Sequence, residues 1–311
     1  MSLLGLSSAC ELLRGDGIVA VPTETVYGLA GRIDSSIALK KIFAVKERPF
    51  FDPLIVHVKD LEQARPLVKN VAPIFEELAK AFWPGPLTLV MEKSSRIDDL
   101  ITSGLPSVAL RSPRHELAQK ILSQVGPFAA PSANKFGKTS PTTADHVMQE
   151  FGGQVAVVDG GPCEVGVEST VVRVNNEKLE ILRPGRILKK DLEPIAERHG
   201  LSVVIAPSEA SPGHLPHHYQ PEVPLLLLKF DYSESELRER ISQLIGRNDY
   251  SLQYLRLPKK AHEAARTLYA ELRRLSQTST NIIVVKRSDW IWSEDSTDLI
   301  DRLTRASSAI F

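Results

Sequence analysis

Short apolar runs alternate with amphipathic stretches over the first two thirds of the chain, and this alternation commits the segment to a sheet with helices packed on it. The runs at 17–21, 53–58, 86–91, 107–110, 128–130, 155–158 and 169–174 read as strands, while 39–45, 73–82, 116–124 and 143–151 place apolar residues at helical spacing. The order is not a strict strand–helix–strand repeat. The stretches 85–113 and 155–184 each offer consecutive strands, so the expected architecture is α/β with a twisted, mixed open sheet instead of an all-parallel one.

That pattern breaks at 206–224, where Pro207, Pro212, Pro216, Pro221 and Pro224 fall together with Gly213, His214, His217 and His218. Proline has no backbone donor and a fixed φ, so this segment reads as a stiff linker. Beyond it, strands at 225–230, 250–257 and 282–286 are each followed by a helical pattern, at 233–245, 261–275 and 297–310. Three consecutive strand–helix units make a small parallel-sheet, Rossmann-like domain. A chain of 311 residues exceeds one ordinary core, and the expected division is 1–205, a linker or lid at 206–224, and 225–311.

The charge balance narrows the function classes. With 38 basic and 38 acidic residues the net charge is zero, so any site for a polyanion is local and not a property of the whole surface. No apolar run approaches the roughly 20 residues of a membrane span, and the first residues lack a basic stretch followed by an apolar one. Cys10 and Cys163 show neither metal-ligand nor disulfide spacing. The expectation is a cytoplasmic protein with no membrane association.

Candidate chemistry lies where strands end. Pro22 to Leu29, PTETVYGL, sets hydroxyls and a glycine after a buried strand, where open α/β sheets hold ligands; a plain strand-to-helix connection is the alternative. Lys46, Arg48, Asp52 and His57 follow within twelve residues, stiffened by Pro49 and Pro53. Two cations there suit a triphosphate, an Arg fork and a Lys point charge gripping different oxygens; a solvated helix end is the alternative. Arg111 closes the strand that Ser107 opens, and an arginine buried there calls for an anion or a salt bridge. Ser132, Asn134, Gly137 and Ser140 precede a helical pattern and can present amides and hydroxyls to phosphate, or simply cap the helix. One hairpin would bring Ser169 and Arg183 to the same mouth. No GxxxxGK[ST], GxSxG, HExxH or paired CxxC occurs, and the three linker histidines make a poor metal site, so no protein-bound metal is expected.

In this order and spacing the motifs PTETVYGL (22–29), KERP and DPLIVHV (46–58), WPGPLTLV (83–90), SVALRSP (107–113), APSANKFGKTSPT (130–142), GVESTVV (166–172) and ILRPG (181–185) resemble the YrdC/TsaC family of threonylcarbamoyl-AMP synthases. The linker SPGHLPHHYQP (211–221) followed by a small α/β domain resembles the longer, two-domain form. The resemblance implies a YrdC-like catalytic domain that makes threonylcarbamoyl-AMP and pyrophosphate from ATP, L-threonine and bicarbonate, as an ATP-binding nucleotidyltransferase of tRNA processing. It places Thr25, His57, Arg111 and Ser169 around threonine. It gives Lys46, Arg48, Asp52, Ser107, Ser132, Asn134, Ser140 and Arg183 to ATP, with Lys46 and Arg48 acting in catalysis and Mg2+ on the phosphates. His218 and Tyr219 would serve in the lid, and a threonylcarbamoyl transferase and tRNA would be indirect partners downstream. Asp52 stands where the family usually has asparagine, and Leu215-Pro216 replace a lysine–tyrosine pair. The resemblance also implies an electropositive cavity, and two other readings of it remain open, an RNA-binding module and a regulator that reuses the same basic cavity.

Overall fold

The computed structural model describes residues 3–206, 218–279, 281–288 and 290–311 and divides into two compact units. The first comprises Met1–Phe136 and Ser140–Leu215, and the second Gly137–Thr139 and Pro216–Phe311. No helix of the described residues is long and apolar enough to cross a membrane.

Among the described residues, the first unit carries ten strands: β1 (Val19–Val21), β2 (Gly28–Arg32), β3 (Ile55–His57), β4 (Leu87–Glu92), β5 (Ser107–Arg111), β6 (Phe128–Ala129), β7 (Ala156–Val157), β8 (Thr170–Asn175), β9 (Lys178–Arg183) and β10 (Ser202–Ile205). They form one sheet in the order β10-β9-β8-β4-β5-β3-β6-β2-β1-β7. It is mixed: β3 and β5 pair in parallel, β4 and β5 antiparallel, β4 and β8 in parallel. The stretch 22–29 departs from the strand-to-helix reading, because β1 turns back antiparallel onto β2. Gly-Leu-Ala-Gly-Arg carries no β-branched residue, so local preference gave no sign of a strand there.

Helices cover the sheet where their apolar stripes allow. Pro73–Phe82 begins with proline at its first turn and buries Ile74, Phe75, Leu78 and Ala79. Ala144–Phe151 starts on Thr143, whose hydroxyl accepts the His146 N–H. Leu6–Arg14 and Lys189–Arg198 lie outside the sequence-predicted helices; the second contains Pro194, which obscures the helical signal.

The second unit holds β11 (Leu225–Leu227), β12 (Leu252–Tyr254), β13 (Ile282–Val285) and β14 (Ala309–Ile310), all parallel, in the order β12-β13-β11-β14. The helix expected over 297–310 stops at Ala306, and the last residues form β14 instead. The three-residue excursion Gly137–Thr139 is held inside this unit: Lys138 bridges Gln220, the Gln220 amide donates to Gly137 O at 2.8 Å, and Arg273 donates to Thr139 O. Tyr219 has left-handed backbone (φ 66°) and is buried. Its ring stacks on Tyr269 at 5.9 Å and lies under the Arg302 guanidinium at 4.9 Å, with His218 edge-on. The remaining expected lid, 207–217, lies outside the described residues.

Candidate active site

Alternation along the strands splits the first unit's sheet into two chemically different faces. Val56, Leu89, Leu110, Val172 and Ile181 enter the large core. Their neighbours Ile55, Val90, Ala109, Val171 and Leu182 form a small separate apolar cluster on the other face. Two residues along from Ile55, Ala109, Val90 and Val171 stand His57, Arg111, Thr88 and Ser169. His57, Arg111 and Ser169, singled out by sequence, thus share one face with Thr88 over an apolar floor.

At one end of that face the register aligns His57 with Arg111 on β5 and with Phe128 on β6. The His57 ring stacks on Phe128 at 5.6 Å. Burial, reinforced by the Arg111 charge, depresses its pKa to about 3, so the imidazole is neutral at physiological pH. Arg111 donates from Nη1 to Thr25 Oγ1 at 2.8 Å and from Nε to Gly85 O at 3.3 Å, and its Nη2 pairs with Glu24 Oε1 at 2.8 Å. Thr25 is positioned by Thr23, whose hydroxyl accepts the amides of Thr25 and Val26. Ser169 Oγ lies 2.7 Å from Thr88 Oγ1 and accepts from Arg183 Nη2 at 3.1 Å; Arg183 also donates to Ser169 O. The β8–β9 hairpin makes that contact possible, as its sequence predicted. Gly185 follows because the chain passes so close that a Cβ there would meet Thr170 N at 2.3 Å.

At the other end of these strands, Pro53 precedes β3 by two residues and Ser107 opens β5. Arg48 is buried beside Pro53. Its Nε donates to Asp52 O at 3.1 Å, its Nη2 donates to Pro53 O at 2.8 Å, and Asp52 Oδ2 lies 2.8 Å away in an ion pair. Lys46, also buried, donates to Ser132 O at 2.6 Å and Asn134 O at 2.5 Å. Burial, then the neighbouring Arg48 charge, holds its pKa well below the usual lysine value. Ser140 Oγ donates to Glu168 Oε1 at 2.6 Å. The backbone stitches these loops to 22–27: Tyr27 N donates to Pro141 O and Gly166 N to Thr25 O.

Sequence reasoning missed Glu24, Glu168 and Thr88. All three are buried, and each partners a residue it did select. For the two glutamates, a carboxylate within an otherwise uncharged motif was the available signal. His218 and Tyr219 lie in the second unit. Among the described residues, no group of three metal-ligating side chains occurs.

Comparison with known proteins shows the family of the chain. A family model for the Sua5, YciO and YrdC proteins, described as "Telomere recombination", matches residues 11–185, and one described as "Threonylcarbamoyl-AMP synthase, C-terminal domain" matches 182–308. The chain is 36% identical to the threonylcarbamoyl-AMP synthase of Pyrococcus abyssi, over 89% of this chain and 87% of that one. It is 32% identical to the enzyme of that name from Schizosaccharomyces pombe, over 98% and 89%. The crystal structure of P. abyssi Sua5 complexed with L-threonine superposes with a TM-score of 0.86, at 32% identity over 98% of this chain and 95% of the other. With both domains matched in order and nearly full-length relatives of one name, the chain belongs to the two-domain family of threonylcarbamoyl-AMP synthases.

Proposed function

We propose that the inner face of the first unit condenses L-threonine, bicarbonate and ATP into threonylcarbamoyl-AMP, releasing pyrophosphate, in the cytoplasm. In this reading Arg111 receives the threonine carboxylate, the hydroxyls of Thr25 and Ser169 line its polar end, and neutral His57 packs beside it. Lys46, Arg48, Asp52, Ser107, Ser132, Asn134, Ser140 and Arg183 take the nucleotide. The observation that carries the proposal is the contact of Arg183 with Ser169: a cation suited to phosphate is bonded to the hydroxyl expected beside threonine, so one guanidinium spans the place where the two substrates meet. The relative solved with L-threonine supports the amino-acid end. Both thiols, Cys10 and Cys163, are free, which supports a reducing compartment.

The neutral threonine nitrogen forms a bond to the bicarbonate carbon, a C–O bond of bicarbonate breaks, and the departing hydroxyl leaves as water with a proton from the nitrogen, giving a carbamate. A carbamate oxygen then attacks the α-phosphorus, whose bond to the pyrophosphate oxygen breaks. The side chains hold charge and position and form no covalent intermediate; Arg183 and Lys46 offset the repulsion between the carbamate and the triphosphate, while Arg111 and Arg48, paired with Glu24 and Asp52, orient the groups they bond. Magnesium fits this donor set: Ser140 and Glu168 offer one hydroxyl and one buried carboxylate, and the ion ordinarily completes its shell with phosphate oxygens and water. Bound there, it would neutralise phosphate charge. The product would pass to a threonylcarbamoyl transferase that acts on tRNA.

The test is pyrophosphate release with and without threonine and bicarbonate. Release should require both, and Arg183→Gln should lower kcat at least about a hundredfold, consistent with lost charge-assisted bonds at the reacting centre. Near-normal turnover in that variant removes the assigned role.

A further inference from the structure

Glu24 has no role in the reaction as described, yet its carboxylate is the counter-charge of Arg111. The side chains are 0% and 5% exposed. One Glu24 oxygen accepts the Arg114 amide at 2.9 Å; the other lies 2.8 Å from Arg111 Nη2, but neither of those two atoms completes an aligned hydrogen bond. The pair is therefore held by charge, while geometry is supplied by Thr25 and Gly85 on the arginine side. The imidazole nearest the pair is neutral. Arg111 consequently offers an incoming carboxylate a guanidinium whose charge is already cancelled.

That balance decides which ligands can enter cheaply. A simple hydroxy acid would bring one uncompensated negative charge into a buried space that also holds Glu24. An α-amino acid brings a carboxylate for Arg111 and an ammonium whose attraction to Glu24 needs no direct contact, because Coulomb interactions over several ångströms are strong away from water. We infer that Glu24 is a specificity determinant that makes the amino-acid end of this site accept zwitterions and refuse the corresponding deaminated acids. The inference rests on the reading that Arg111 faces the substrate carboxylate. The other buried charges of the site, Glu168, Arg183, Lys46, Arg48 and Asp52, are unchanged in Glu24→Gln, so a change of preference in that variant reports on Glu24.

The experiment is calorimetric binding of L-threonine and of 3-hydroxybutyrate, which is threonine without its amine, to the full-length chain. The wild-type protein should prefer threonine by at least about a hundredfold. In Glu24→Gln, which keeps size and hydrogen bonding but not charge, the ratio should fall at least about tenfold, chiefly through tighter binding of 3-hydroxybutyrate. Glu24→Asp, which keeps the charge, should retain most of the preference. A wild-type preference below about threefold overturns the inference without any variant, which covers the case in which Glu24→Gln fails to fold. An unchanged ratio in folded Glu24→Gln overturns it equally. Wild-type protein that binds neither ligand removes the reading of the amino-acid site on which the inference stands.

Discussion

The two ends of the site are each organised around a buried arginine, and the arginines are held in opposite ways. Arg111 is anchored by groups distant in sequence, Glu24, Thr25 and Gly85. Arg48 is anchored by its own turn, through the carbonyls of Asp52 and Pro53 and the Asp52 carboxylate. The contacts of Arg111 therefore exist only once the sheet has assembled, whereas those of Arg48 are prefigured in a single local segment. Rigidity follows the same division. Arg111 sits among strand residues and buried rings, while Arg48, in an ion pair equally buried, sits on a turn that carries Phe50 and Phe51 about 60% exposed.

The largest expected effect tests that division directly. Arg111→Gln leaves Glu24 buried without its counter-charge and should lower unfolding stability by about 3–5 kcal/mol, the usual cost of breaking a buried pair. Arg48→Gln leaves Asp52 in a turn that can open towards water, and should cost only about 1–2 kcal/mol, although it should reduce turnover severely. Denaturant midpoints of the two variants decide the matter. Equal losses would erase the contrast, and recovery of stability in the double variant Glu24→Gln/Arg111→Gln would sharpen it.

What the sequence revealed follows the same line. Residues 46–58 were legible because cations, prolines and the apolar run all lie in one short stretch, and Arg111 and Ser169 because they close or open clear strands. Glu24 was not legible as a partner, since its importance depends on a strand some 87 residues further on. Glu168 and Thr88 were missed for the same reason. In the fold, strongly patterned elements such as Pro73–Phe82 read correctly, whereas β2 did not: Gly28 to Arg32 pairs because β1 and β6 flank it, and tertiary pairing outweighs its poor strand propensity. Helix 297–310 was read too long because Ala309 and Ile310 continue its apolar spacing, although they form an edge strand beside β11.

The second test uses pH at the rigid end. The folded pKa of His57 is depressed to about 3 from an ordinary 6.5, so between those values the unfolded chain binds a proton that the folded chain refuses. Its contribution to stability is complete above pH 6.5 and is lost progressively as pH falls towards 3. Between pH 7.5 and 5 the wild-type protein should lose about 2 kcal/mol more than His57→Gln. Parallel losses in denaturant unfolding at the two pH values would show that this end can relax or admit water, and would bring it closer in character to the Arg48 turn.

The smallest expected effect lies at the proposed nucleotide end, where Asp52 neutralises Arg48. In Asp52→Asn the two carbonyl anchors of Arg48 remain, so its direction should be kept while the local charge rises by one. Without ligand the uncompensated guanidinium should cost about 1 kcal/mol of stability. ATP supplies the missing negative charge, so its affinity should rise about threefold to tenfold, and saturating ATP should restore the melting temperature through binding to the folded state alone. Calorimetric titration with ATP, beside melting curves with and without it, measures both halves of that expectation. Weaker ATP binding in the variant would mean that the carboxylate, and not the turn backbone, sets the working orientation of Arg48. The nucleotide end would then depend on a buried pair in the same way as the amino-acid end, and the contrast between them would be one of sequence distance only.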